Sequence, residues 1–204
     1  MGMERHDGIA SGLLRILAFP RTGIELTLLR QPVALGLFIL VVGQISRSVA
    51  THLAFQGAGS ISPVFDSFFA CILAFAGVFI GTAFLHMFAT ILGGRGEIGG
   101  LFWGLMVGDA PWVIATPLVL IALGASDGSK YAYVLALFLI KMGLTVWAIG
   151  LKSCALAKVY RLSGSRALFA FFVGYGLAIV LFGLLAFFAP LSVLNWLAFL
   201  ASRA

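Results

Sequence analysis

Long apolar runs separated by short polar breaks make up most of the chain. A helix needs about 20 consecutive apolar residues to cross a bilayer. Five stretches reach that length: Pro32–Leu53, Val64–Leu92, Ile98–Leu123, Tyr131–Ala157 and Ala167–Phe188. Pro32 suits a helix start, where its missing N–H costs nothing. Gly93-Gly94 closes the second run and Pro190 follows the fifth. Pro111 and Pro117 fall inside the third run, so a kink or local break is expected there. Leu191–Ala201, with Asn195 and Trp196, is too short to span and is expected to lie in the interface or to re-enter. Ahead of the first run, Ile9, Leu13, Ile16 and Leu17 recur at helical spacing beside Arg5, Arg15, Arg21 and Arg30. That pattern predicts a basic amphipathic helix on the membrane surface. Ile9–Phe19 does not read as a secretory signal, because it is short, contains Arg15 and lacks a following small-residue cleavage site.

The expected organisation is therefore a cytoplasmic amphipathic surface segment over 1–30, a five-helix transmembrane domain over 31–190 and a short interfacial segment over 191–204. The fold class is all-α, a polytopic transmembrane helical bundle of about five spans. Composition agrees. Hydrophobic residues make up 62% of the chain and charged residues 10%, against about 25% charged in a soluble domain. So few charges cannot clothe a water-facing surface. The mean hydropathy of +1.13 says the same.

Charge adds orientation. The net charge is +6, and basic residues of membrane proteins gather on the cytoplasmic side, where they meet anionic headgroups. One side receives nine: Arg5, Arg15, Arg21, Arg30, Arg95, Lys152, Lys158, Arg161 and Arg166. The other receives three: Arg47, Lys130 and Arg203. The excess places the N-terminus in the cytoplasm and the C-terminus outside. The lipid bilayer and its anionic headgroups are the expected partners. No basic-aromatic cluster points to nucleic acid, which is excluded. Cys71 and Cys154 show no metal or redox spacing and fall near opposite faces, so no disulfide is expected.

Ionisable groups inside a span are costly and mark candidates for function. They are His86, Asp109 and Lys141. Asp109 lies roughly 16 Å from the inner start of its helix at 1.5 Å per residue, and Lys141 roughly 15 Å from the outer start of its own. Both come near the midplane, so an Asp109–Lys141 ion pair is expected. It would act as a register lock between sequential helices or as part of a proton or ion path. His86, nearer the inner boundary, reads as a neutral histidine bonded to a neighbouring helix. No metal site is expected, since His6 and His52 lie elsewhere and no acid stands three or four residues on. Arg47 and His52 are expected to snorkel outward, with Asp66 near Arg47. Gly77-x-x-x-Gly81 and Gly104-x-x-x-Gly108 allow close helix packing. Gly93-Gly94-Arg95-Gly96 lacks the Lys-Ser/Thr and the strand of a phosphate loop. There is no G-x-S-x-G, and Asp109 is the only acid deep in a span, so an enzyme is disfavoured and no cofactor is expected.

The stretch His86-Met-Phe-Ala-Thr-Ile-Leu-Gly93-Gly94-Arg95-Gly96, then Gly108-Asp109-Ala110-Pro111, resembles the Yip family of Ypt/Rab-GTPase-interacting membrane proteins, in its bacterial branch. Trp147-Ala-Ile-Gly-Leu-Lys152 and Tyr160-Arg-Leu-Ser-Gly-Ser-Arg166-Ala are similar to the family's fourth-to-fifth connection. The likeness covers about Pro20 to Pro190. It implies five spans and a cytoplasmic N-terminus, with Gly93 and Gly94 as the family-motif turn. The long N-terminal domain and Asp-Leu-Tyr-Gly-Pro motif of eukaryotic members do not occur here, so a GTPase role is not carried over. An aromatic often follows the glycine at 108, and Asp109 stands in its place.

These readings imply a non-enzymatic, Yip-type scaffold or partner-binding protein of the bacterial inner membrane. The alternative is a small transporter or ion-conducting bundle using Asp109, Lys141 and His86. A lipid-modifying enzyme comes third. A polar cavity reaching Asp109 favours transport, and a tightly packed pair favours a scaffold.

Overall fold

The computed structural model describes residues 9–19, 22–24, 33–54, 63–125 and 130–180. Every element among them is helical: α1 (Ile9–Ala18), α2 (Val33–Ala54), α3 (Pro63–Ile91), α4 (Ile98–Val107), a 3-10 turn (Ala110–Ile114), α5 (Ala115–Ala125), α6 (Lys130–Tyr160) and α7 (Gly164–Val180). Among the described residues, four helical spans are long and apolar enough to cross a membrane: Ala34–Ala54, Val64–Ile91, Ile98–Ala125 and Tyr131–Tyr160. The chain is thus an all-α integral membrane protein. The expected fifth span is helical from Gly164 to Val180. Its remainder and the segment at 191–204 lie outside the described residues.

The helices follow the apolar runs because lipid leaves the backbone no partner but itself. The third span is the most enclosed: 61% of its window is buried, against 22% for Val64–Ile91 and 17% for Tyr131–Tyr160. It is also the broken one. α4 stops at Val107, Gly108 and Asp109 turn, and Pro111 sits in the first turn of the 3-10 segment. Pro117 lies in the first turn of α5, a position proline tolerates. Its missing N–H nevertheless leaves the Val113 carbonyl without the usual i−4 partner. Ser46 of α2 supplies one: its Oγ donates to Val113 O at 3.1 Å and accepts from Thr116 N at 3.0 Å. The Thr116 hydroxyl returns a bond to Ser46 O at 2.7 Å. Gly36 and Gly43 bring α2 close, since a Cβ at Gly43 would stand 3.4 Å from Asp109 O and one at Gly36 3.3 Å from the Trp103 ring.

The main core forms where α2, α3, α4, α6 and α7 meet, around Leu40, Leu85, Leu105, Leu156 and Phe171. The opposite flank of α3, with Phe65, Phe68, Ile72 and Phe79, is exposed and suits contact with lipid chains. α1 departs from expectation. The helix forms, but its apolar stripe covers protein instead of lying wholly on lipid. Ile16 is fully buried beside Leu35, Ile39, Val107 and Leu151, with Leu13 and Leu17 packed around them. An amphipathic stripe matches either surface, and only the tertiary contacts decide.

α3 ends with two linked bonds, from Gly93 N to Thr90 O (2.9 Å) and from Gly94 N to Ala89 O (2.8 Å). This cap needs a left-handed residue after the last turn, and Gly93 supplies it at φ +84°. Gly94 and Gly96 then press against the end of α6. A Cβ on Gly94 would fall 2.9 Å from Tyr160 Cβ, and one on Gly96 would collide with Val159 O. Arg95 N donates to Tyr160 O at 3.2 Å. The Gly-Gly turn thus seats the α3–α4 connection on α6.

Candidate functional site

The break in the third span lifts Asp109 out of regular helix and turns its side chain toward α6. Its partner there is Lys152, not Lys141: Lys152 Nζ stands 2.7 Å from Asp109 Oδ1. The Lys152 stem crosses the open face of Gly108, where a Cβ would collide with Lys152 Cγ. Tyr175 of α7 closes the other side, its ring centroid 5.8 Å from Lys152 Nζ, within cation–π range. Gly81 of α3 leaves room for that ring, since a Cβ there would meet Tyr175 at 3.4 Å.

The expected Asp109–Lys141 pair is therefore corrected, and the reason is helix length. α6 has 31 residues, roughly 46 Å at 1.5 Å per residue, against a hydrocarbon core of about 30 Å. A depth counted inward from its far end overshoots. The close contacts of Gly100 with Val159 and of Gly108 with Lys152 fix the true antiparallel register. Lys152, counted among the basic residues of the cytoplasmic side from the sequence, lies two turns inside the helix. The basic asymmetry survives its removal, with eight of the nine left against three.

The pair is buried, with side-chain exposures of 13% for Lys152 and 8% for Asp109, yet it is not sealed in. It forms the floor of a cavity of about 600 Å³ between α2, α3, α6 and α7. Gln44, Arg47, Thr51, His52 and Asp66 line its walls up toward the α2–α3 connection. Gln44 is buried, and no hydrogen-bond partner for its side-chain amide occurs among the described residues. Its donors and acceptor are available to whatever fills the cavity. Taking a pair of charges out of water costs more than their attraction returns unless polar groups remain close. The cavity supplies that polar surround.

His86 takes no part in this site. Its Nδ1 shares a hydrogen bond with the Tyr160 hydroxyl, and Thr90 Oγ1 donates to its carbonyl. It ties α3 to α6 beside the Gly93-Gly94 turn, as the neighbour-bonded reading expected. Lys141 is exposed on a different flank. Arg47 does not pair with Asp66, although both line the cavity; its guanidinium lies 4.6 Å from the centroid of the Trp112 ring. The structure thus brings together none of His86, Asp109 and Lys141. The described residues hold no group of three potential metal ligands, and both cysteines are free.

Lys152, Tyr160, Tyr175 and Gln44 were missed by sequence reasoning. For Lys152 a signal existed. Leu151, Ala155, Leu156 and Val159 continue the helical apolar period past it, and no breaker intervenes before Ser163-Gly164. Comparisons with protein-family models, with curated proteins and with solved structures give no match for the chain.

Proposed function

We propose that the chain is a Yip-type integral membrane protein of the bacterial inner membrane, with a cytoplasmic N-terminus and a non-enzymatic role as a membrane scaffold or partner-binding protein. One observation carries this reading. The stretches on which the resemblance rests are brought together along α6. The His86–Gly96 stretch packs on Val159 and Tyr160, and Gly108-Asp109 packs on Lys152. Residues that hold one another in place are what a shared architecture would retain. The test compares purification from native membranes in mild detergent of the natural chain and of an Arg161→Glu/Arg166→Glu variant, both positions being exposed. A protein that co-purifies with the former and is lost with the latter, at equal stability, supports the reading. Identical co-purification by both, or none by either, contradicts it.

The cavity favours a second reading, the transport of a small polar solute or ion. It reaches Asp109, as a transporter requires, even though the pair itself is closely packed. Lys152 takes the role that Lys141 and His86 were expected to share. Flux into proteoliposomes that disappears in Asp109→Asn would establish this reading in place of the scaffold. Equal leak with and without the protein would remove it.

A further inference from the structure

A second groove lies between α2, α5 and α6, with a volume of about 460 Å³. Its chemistry is the reverse of the cavity's. Ala50, Trp112, Val119, Leu137 and Leu144 make it apolar, and its two charges are both positive, Arg47 and Lys141. No carboxylate lines it among the described residues, whereas the polar cavity carries Asp66 and Asp109. Lys141 has no ion-pair partner among the described residues. The Arg47 guanidinium carbon lies 4.6 Å from the centroid of the Trp112 ring, a contact that uses none of its five N–H donors in a hydrogen bond to an oxyanion.

We propose that this groove holds an acyl chain of an anionic phospholipid whose phosphate sits at Arg47 and Lys141. A cation within a span requires a partner or water, and among the described residues neither Arg47 nor Lys141 has a carboxylate within ion-pair distance. A soluble anion would satisfy them but would leave the apolar walls empty; an uncharged lipid would fill the walls but not answer the charges. An anionic amphiphile does both. Depth is compatible. Arg47 lies roughly 10 Å from the end of α2, and Lys141 roughly 16 Å from the start of α6. α6 exceeds the hydrocarbon thickness by roughly 16 Å, and whatever part of that excess overhangs at its Lys130 end brings Lys141 nearer to headgroup level by the same amount. Long basic side chains cover the remaining distance by snorkelling. The proposal rests on neither the scaffold nor the transport reading, although Arg47 lines both the groove and the polar cavity.

Trp112 lines the groove and reports on it directly. The experiment uses the full chain with Trp103, Trp147 and Trp196 changed to Phe, in mixed micelles containing phosphatidylglycerol or phosphatidylcholine brominated on the acyl chains. Bromine quenches the indole on contact. Each basic residue near anionic lipid is worth roughly fivefold in affinity, so phosphatidylglycerol should quench at a lipid fraction roughly 25-fold lower than phosphatidylcholine. Lys141→Gln, at an exposed position, should cost about fivefold of that preference, and Arg47→Gln/Lys141→Gln nearly all of it. If the Phe background does not fold, the shift in melting temperature of the natural chain with each unbrominated lipid replaces the quenching. Lys141→Gln should then shrink the advantage of phosphatidylglycerol. Equal response to both lipids, or a preference unchanged in the double variant, overturns the proposal.

Discussion

Lys152 Nζ stands 2.7 Å from Asp109 Oδ1, and the stem of the same lysine lies over Gly108. The two residues come from a broken span and an unbroken one. The break turns the carboxylate sideways, the glycine clears the path, and the long helix α6 delivers the ammonium two turns before its end. Both charges are buried, and both border a polar cavity. Nearly every feature of the candidate site depends on this arrangement.

The backbone repair at the break is testable. Ser46→Ala removes the hydroxyl that answers Val113 O across the helices. A buried carbonyl left without a partner costs about 1–3 kcal/mol, so the melting temperature in detergent should fall. Adding Pro117→Ala returns an N–H to the position that Val113 O would bond in a regular helix. The double variant should recover part of the loss. A Pro117→Ala change that lowers stability further in the Ser46→Ala background would contradict the bond assignment.

The glycines of the α3–α4 turn should differ sharply from one another. Gly94→Ala forces a Cβ to 2.9 Å from Tyr160 Cβ as well as against Ala89 O of its own helix, and Gly96→Ala drives one into Val159 O. Overpacking against backbone costs about 1–3 kcal/mol or more. Gly99 has nothing within 4 Å of an added Cβ and lies in the first turn of α4. Gly99→Ala should be neutral or stabilising by up to about 1 kcal/mol through helix propensity. Thermal melts of the three variants decide, and equal losses would argue against the docking of the turn on α6.

Orientation rests on the basic asymmetry. Single cysteines at 95, 130 and 158, in a background lacking Cys71 and Cys154, are to be challenged in intact cells with a membrane-impermeant thiol reagent. Position 130 should react, and positions 95 and 158 should react only after permeabilisation. External labelling of 95 or 158 would invert the topology.

Most of the architecture was legible because lipid enforces it. Apolar runs give helices, and their observed ends fall within about three residues of those read from the pattern, within the scatter typical of helix boundaries. The break was legible too, since Pro111 and Pro117 announce it. The partner of Asp109 was not. Depth arithmetic assumes that a helix is as long as the membrane is thick, and α6 is longer. Nor could the pattern say that α1 packs on the bundle through Ile16, because lipid and protein cores ask for the same apolar stripe. Gln44 and Tyr175 carry no sequence signal at all: a cavity belongs to several helices at once, and each wall residue looks ordinary in its own.

The Asp109–Lys152 pair is tested most directly by two double-mutant cycles read as thermal stability in detergent. Asp109→Asn and Lys152→Met should each cost about 3–5 kcal/mol, because each strands the opposite charge in a buried site. Their combination should cost far less than the sum, the signature of residues in contact. Lys141→Met should add independently to Asp109→Asn, since Lys141 lies on another flank. Additive losses for Asp109 and Lys152, or strong coupling between Asp109 and Lys141, would contradict the ion pair on which the site is built.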